Sequence, residues 1–309
     1  MRLNHVLDER SERSLCAYLL QFVSANRLPE TIGYNIVYFA IGVGLVSQPQ
    51  LQLTSHQFHQ LGLVFLAVML TKMQASIADV IHDYTIDKAN PEKSHLAAAV
   101  DTISVEILWS VLIVELTGGL VLWGWLGIEA ETPFFLLVGA VNTILGFTYS
   151  YPPRLKERGI INHLVTTGVD VAGVILPVAV IAGADIDSQV MVPLTIVLLY
   201  VFGYHVVHQA ADTAYDRKSG VETLTQSLGV TTSVWVASFA TTLAAVLAAS
   251  QQYVIATTGL VTGSLGYAAL AVTIRGESEE AQCRRLSRWF RIGVWATLLN
   301  GTLAASLFI

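Results

Sequence analysis

Charge is what this sequence has least of. Only 13% of its 309 residues are Asp, Glu, Lys or Arg, about half the roughly 25% of an ordinary soluble domain. A water-exposed surface needs charge to stay dissolved, so a soluble globular enzyme is excluded. Concentrated basic charge is lacking too. The net charge is −6, which leaves no footprint for a nucleic acid and excludes that class of partner. Cysteine is nearly absent: Cys16 and Cys283 stand far apart and match no metal-ligand spacing or disulfide framework. The polar N-terminal stretch MRLNHVLDERSERS lacks the charged, apolar and small-residue succession of a cleavable leader, and no signal peptide is expected.

What the chain has instead is apolar length. Hydrophobic residues make up 53% of it, and the mean hydropathy is +0.58. A helix needs about 20 apolar residues to cross a hydrocarbon core of roughly 30 Å. By that measure the sequence predicts an all-α integral membrane protein with about nine spans, at 30–48, 60–82, 101–125, 132–150, 162–184, 189–211, 231–249, 253–273 and 289–309. An amphipathic lead-in over 14–28 is expected to lie along the interface. The chain therefore divides into a tail with an interfacial helix, 1–28, and a transmembrane domain, 29–309.

The connections alternate in basic content. The tail, the 83–100 loop, the 151–161 loop, the 212–230 loop and the 274–291 stretch carry 16 of the 17 Lys and Arg residues, and the loops between them carry none. The positive-inside rule then predicts a cytoplasmic N-terminus, cytoplasmic polar loops and an external C-terminus. The remaining basic residue, Lys72, falls in the middle of the second span. A charge at that depth is costly unless it meets a cavity or a partner. Lys72 precedes Asp79 by seven residues, two helical turns, so the two side chains point in nearly the same direction.

Three polar constellations sit on the basic side. In ADVIHDYTIDKANPEK, Asp79, Asp83 and Asp87 are spaced at i, i+4 and i+8, which predicts one carboxylate ridge at the end of span two. Like charges four residues apart weaken a helix, and a bound cation relieves them. In HQAADTAYDRKSGVETL, Asp212 and Asp216 repeat that spacing at the end of span six, followed by Arg217 and Lys218. Oxygen-only ligands favour a hard ion, and Mg²⁺ takes one or two carboxylates together with substrate phosphates. In YSYPPRLKERG, the proline pair ends span four and puts Arg154 and Lys156 near both acidic ends. A diphosphate held there needs both metal and Arg or Lys donors.

At these residues the chain resembles the UbiA superfamily of intramembrane prenyltransferases. The family's NxxxDxxxD motif reads DxxxDxxxD here, as Asp79, Asp83 and Asp87, with Asn90, Pro91 and Lys93 following as NPEKS. Its DxxxD motif is similar to Asp212 and Asp216, with Gly220, Thr223 and Leu224 behind them. The tyrosine-to-lysine loop resembles Tyr151 to Lys156, and Lys72 stands where many members have arginine. The likeness runs from about residue 25 to 230. Its departures are Asp79 for asparagine, Lys72 for arginine, and His208 and Gln209 ahead of Asp212.

The resemblance implies a UbiA-like bundle with a lateral apolar tunnel and a cytoplasmic Asp-rich site. It implies an isoprenyl diphosphate donor, a hydrophobic aromatic or lipid-like acceptor, and two Mg²⁺ ions held by Asp79, Asp83, Asp87, Asp212 and Asp216. Lys72, Lys93, Tyr151, Arg154, Lys156 and Arg217 are the expected diphosphate contacts, and Asp79, Asp83 and Lys72 the expected catalytic groups. Asp79, His82, His205 and His208 are candidates for a general base. A membrane terpene cyclase of the same superfamily, acting without an acceptor, is the alternative. A transporter is disfavoured, because apart from Lys72 the polar residues gather at one face. Trp123 and Trp125 read as an aromatic belt, and Gly118, Gly119, Gly168, Gly173 and 259–266 as close helix contacts.

Overall fold

The computed structural model describes residues 15–46, 52–90, 93–218 and 220–309. Arg2, Arg10 and Arg13 of the tail, and Pro91 of the NPEKS stretch, lie outside the described residues. Among those described, all regular structure is helical.

Helix α1, Leu15–Ala25, exposes Leu15, Tyr18, Leu19 and Leu20. Helix α2, Leu28–Gly44, follows after Arg27, and α3, Ser55–His82, is the second long helix. Thr54 starts α3 with a capping box: its hydroxyl accepts from Gln57 N at 3.2 Å, and Gln57 Oε1 accepts from Thr54 N at 2.9 Å. That arrangement satisfies two orphan donors at once. The chain then makes short helices α4, Tyr84–Ala89, and α5, Ser94–Ile103, before α6, Val105–Glu129, and α7, Phe134–Ser150.

A 3₁₀ turn at Leu155–Glu157 leads into α8, Ile160–His163, a π turn at Leu164–Val169, and α9, Asp170–Ala182. The remaining helices are α10, Ser188–Lys218; α11, Leu224–Leu228; α12, Val230–Ser250; α13, Val254–Ile274; α14, Glu279–Trp289; and α15, Ile292–Leu307. A helix lies over each expected span. Six of the described helical segments are long and apolar enough to cross a membrane: Ser55–His82, Val105–Glu129, Ile160–Ala182, Ser188–Lys218, Val230–Ser250 and Val254–Ile274.

The bundle packs α3 on α6, α10 on α12, α12 on α13, and α2 between α9 and α15. Its main core joins Tyr38, Ile175, Val197, Tyr200, Val234 and Leu299 from five helices. A smaller core of Ala25, Ile77, Ala78, Leu96, Val100 and Leu108 holds the end of α3 against α1, α5 and α6. That second cluster fixes the helix end on which the first aspartates stand. Small residues allow the close approach. A Cβ on Gly139 of α7 would overlap the Trp123 ring of α6, and one on Gly42 of α2 would meet Val178 of α9.

Two sequence expectations change here. The Asp79–Asp83–Asp87 ridge is not one helix: α3 stops with Asp83 as its C-cap, and Asp87 rides on the separate α4. Trp123 is not a belt residue, since it is fully buried and its Nε1 donates to Thr71 Oγ1 at 3.1 Å. Trp125, two positions on, is exposed and donates to Glu129 at 2.8 Å.

The packing at Gly139 gives a direct test. Replacing it by alanine forces the Trp123 ring aside, an overpacking cost of about 1–3 kcal/mol, and should lower the thermal unfolding midpoint in detergent. Gly33→Ala, with open space around the new methyl, should leave the midpoint level or raise it. Equal midpoints for the two variants would contradict the packing described.

Candidate active site

Two helix ends, one from α3 and one from α10, bring aspartates to a single cavity of about 130 Å³. Asp79 and Asp83 line it from α3, and Asp212 and Asp216 from α10. Three basic side chains enter among them from other segments: Arg27, Lys93 and Lys156.

Lys156 is the central cation. The Pro-terminated end of α7 and the 3₁₀ turn bring it inward, where it is 9% exposed. Its Nζ donates to both oxygens of Asp83 at 2.6 Å and to Asp79 Oδ1 at 3.0 Å. Burial disfavours the ammonium, but Asp79 and Asp83 override it and hold Lys156 above its ordinary range. Asp79 is further held by Ser150, whose hydroxyl donates at 2.6 Å, and by Arg27 Nη2 at 2.8 Å. Across the cavity, Lys93 Nζ donates to Asp212 Oδ2 at 2.9 Å. Burial would lower Lys93, yet Asp212 keeps it above its usual value.

The cations do not satisfy every carboxylate. Asp87 is 3% exposed and its Oδ2 has no hydrogen-bond partner. Burial pushes its carboxyl up to about 6, against the pull of Lys93. Among the described residues Asp216 lines the cavity without an ion pair. No three Asp, Glu, His or Cys side chains among those residues form a ready-made cage. A hard cation that takes one or two carboxylates, and completes its shell with water and phosphate oxygens, fits this donor set. The ammonium of Lys156, seated between two carboxylates, occupies the kind of position such an ion takes.

A second chamber of about 150 Å³ adjoins the first and shares Arg27, Asp79, Tyr149 and Thr166 with it. Lys72 lines this one, on the same side of α3 as Asp79. It forms an ion pair with Asp170 at the start of α9 and reaches the Asp170 carbonyl at 3.4 Å.

The other expected contacts are distributed differently. Tyr151 lines neither chamber; it stacks on Phe147 at 4.8 Å and meets His82 edge-on. Arg154 pairs with Glu157 at 2.6 Å. Arg217 lies outside the cavity and grips Glu279 of α14 through Nε and Nη2, both at 3.1 Å. Of the base candidates, His205 and His208 line the cavity, while His82 Nδ1 sits 3.0 Å from Asp83.

Sequence reasoning passed over Arg27, Tyr149 and Asp170. Arg27 counted only as one of the loop arginines, although it stands at the junction of α1 and α2 in left-handed backbone, φ 47°. Tyr149 shares the YSYPP stretch with Tyr151, and only which tyrosine faces inward separates them. Asp170 is the sole acid in its predicted span. The argument that singled out Lys72, a charge at membrane depth needing a partner, applies to it equally.

The comparisons agree with this architecture. The model of the UbiA prenyltransferase family matches residues 36–292. No curated protein matches the sequence. Among solved structures, a UbiA homologue from Archaeoglobus fulgidus bound to DMAPP and Mg²⁺ superposes with a TM-score of 0.68 at 16% identity, over 94% of this chain and 99% of that one. The same homologue bound to GPP and Mg²⁺ gives 0.68 at 17%, over 94% and 100%. The apo UbiA homologue from Aeropyrum pernix K1 gives 0.63 at 19%, over 89% and 95%.

The Asp87 environment predicts a pH dependence. Its carboxyl is raised, so below about pH 6 it keeps a proton that an incoming cation must displace. Burial and the neighbouring Asp212 likewise raise Asp216, to about 7. Mg²⁺ affinity, followed by titration calorimetry, should therefore weaken as the pH falls through about 7 and more steeply below about 6, by about tenfold per unit for each competing proton. Asp87→Asn should remove the lower step and keep the upper one. An unchanged lower step in the variant would assign it to another group.

Proposed function

The chain belongs to the UbiA prenyltransferase family, and on that premise we propose that it moves an isoprenyl group within the membrane from an isoprenyl diphosphate to an aromatic or lipid-like acceptor. The observation that carries this reading is the convergence of two aspartate-bearing helix ends on one cavity, with lysines already seated on their carboxylates. The DMAPP and GPP held with Mg²⁺ by the Archaeoglobus fulgidus homologue support an isoprenyl diphosphate as the donor.

Asp79, Asp83 and Asp87 would hold one Mg²⁺, and Asp212 and Asp216 a second. When bound, such ions supply Lewis-acid charge that binds the diphosphate and offsets its growing negative charge. The chain's own cations then act on the same group. Lys156, Lys93 and Arg27 face the cavity, and with the carboxylates engaged by such ions these three side chains would be free to donate to phosphate oxygens. Their attraction strengthens as the C1–O bond of the donor breaks and its electron pair leaves with the diphosphate, which is stabilisation at developing charge. The allylic carbon then bonds to the acceptor nucleophile, whose proton passes to the departing diphosphate. Lys72, held by Asp170, sets the polarity of the adjoining chamber, where Leu145, Val165 and Val169 offer apolar surface to the isoprenoid tail. Sixteen basic residues on one side orient this end and the N-terminus toward the cytoplasm and the C-terminus outward, with α1 along the interface.

Purified protein with geranyl diphosphate, Mg²⁺ and a membrane lipid extract as the source of acceptor should release diphosphate, and EDTA should stop it. Asp83→Ala and Asp212→Ala should each lower the rate by about 100-fold or more, since each removes a ligand to the charge-stabilising ion, while the helical content stays that of the parent. Near-parental turnover by either variant would overturn the two-cluster site.

A further inference from the structure

The charged groups account for the diphosphate, but the same cavity has a second set of lining residues that this chemistry leaves unused. Asn162 and His163 come from α8, Thr166 from the π turn, and His205, His208 and Gln209 from α10. They carry no fixed charge. Asn162 is 3% and His163 1% exposed, and His163 packs edge-on against Phe202 at 5.3 Å.

Several of their polar atoms are unsatisfied. Asn162 Oδ1, Gln209 Oε1 and both ring nitrogens of His163 are buried without a well-formed hydrogen bond, the imidazole meeting only a loose polar contact with the Gln209 side chain. A buried polar atom left unmade costs about 1–3 kcal/mol, so several of them on one cavity wall mark a place where a ligand completes the bonding. Neutral imidazole and carboxamide groups each offer both a donor and an acceptor. The π turn begins directly after His163, and such turns commonly occur at functional sites.

We propose that Asn162, His163 and Gln209 bind the uncharged, hydrogen-bonding head of the acceptor: the hydroxyl of a phenol or an alcohol. The set contains no Lys or Arg, so it suits neither a carboxylate nor a phosphate head, and a hydrocarbon would leave its polar atoms unpaired. This inference rests on the prenyl-transfer reading. It adds the acceptor class and the side chains that select it.

The test uses the full-length protein in lipid nanodiscs with Mg²⁺, radiolabelled geranyl diphosphate and a total membrane lipid extract. The labelled product is identified by mass. Binding of the unreactive thiolodiphosphate analogue of the donor is measured alongside. The product should contain an acceptor with an uncharged hydroxyl. His163→Leu and Gln209→Leu should each cut labelled product by about tenfold or more, leaving analogue binding within twofold, and His163→Gln should recover part of the loss. An acceptor with only a carboxylate or phosphate head, a cyclised geranyl product made without acceptor, or equal loss of analogue binding and product in the leucine variants would overturn the proposal. Failure of the wild-type protein to release diphosphate from the donor would instead overturn the transfer reading beneath it.

Discussion

Carboxylates crowded into a buried cavity repel one another, and the structure at this end of the bundle follows from how that repulsion is met. Two like charges about 4 Å apart repel by about 4 kcal/mol at an effective dielectric near 20. Lys156 relieves this by donating to Asp79 and Asp83 together, and Lys93 does the same for Asp212. These cations come from segments remote in sequence from the acids they neutralise. Arg27 ties the α1–α2 junction to α3, Lys156 ties the loop after α7 to α3, and Lys93 ties the loop before α5 to α10. Charge balance thus closes the cavity as well as stabilising it. The balance is incomplete: Asp216 lines the cavity without an ion pair among the described residues, and Asp87, buried behind the lining, has an unpartnered carboxylate oxygen.

The apolar frame sets where this can happen. The small core of Ile77, Ala78, Leu96 and Val100 fixes the end of α3, and the larger core carries α10 through the bundle. Glycines let α7 meet α6 and α2 meet α9 closely. On the far side of α10 from the cavity chemistry, Arg217 and Lys218 bind Glu279 and Glu280. Those exposed pairs join α14 to the same helix end without touching the ligand space.

Much of this was legible from residue order, and the exceptions share a cause. Apolar length locates the helices, and spacings of four residues locate the aspartates, because both are local properties of the chain. Lys93 and Lys156 were found because each follows a local break, at NPEKS and at the proline pair. Facing is harder to read. Trp123 and Trp125 have the same composition signal, yet one is buried against Gly139 and the other exposed. Tyr149 and Tyr151 are both half-buried, yet only Tyr149 lines the chambers while Tyr151 packs on Phe147; Lys156 likewise enters the cavity while Arg154 turns to Glu157. Partners across the bundle were harder still, since nothing local joins Lys72 to Asp170 or Arg27 to Asp79. The helix break at Asp83 escaped notice because no Gly or Pro marks it.

On the proposed function, both aspartate-bearing ends hold cations whose places Lys156 and Lys93 take here. Anomalous diffraction from crystals grown with Mn²⁺ and an unreactive isoprenyl thiolodiphosphate tests it most directly. The account predicts two metal peaks, one against Asp79, Asp83 and Asp87 and one against Asp212 and Asp216, with both lysines moved from carboxylate to phosphate oxygens. A bound analogue with no metal at either cluster, and the lysines still on their aspartates, would contradict it.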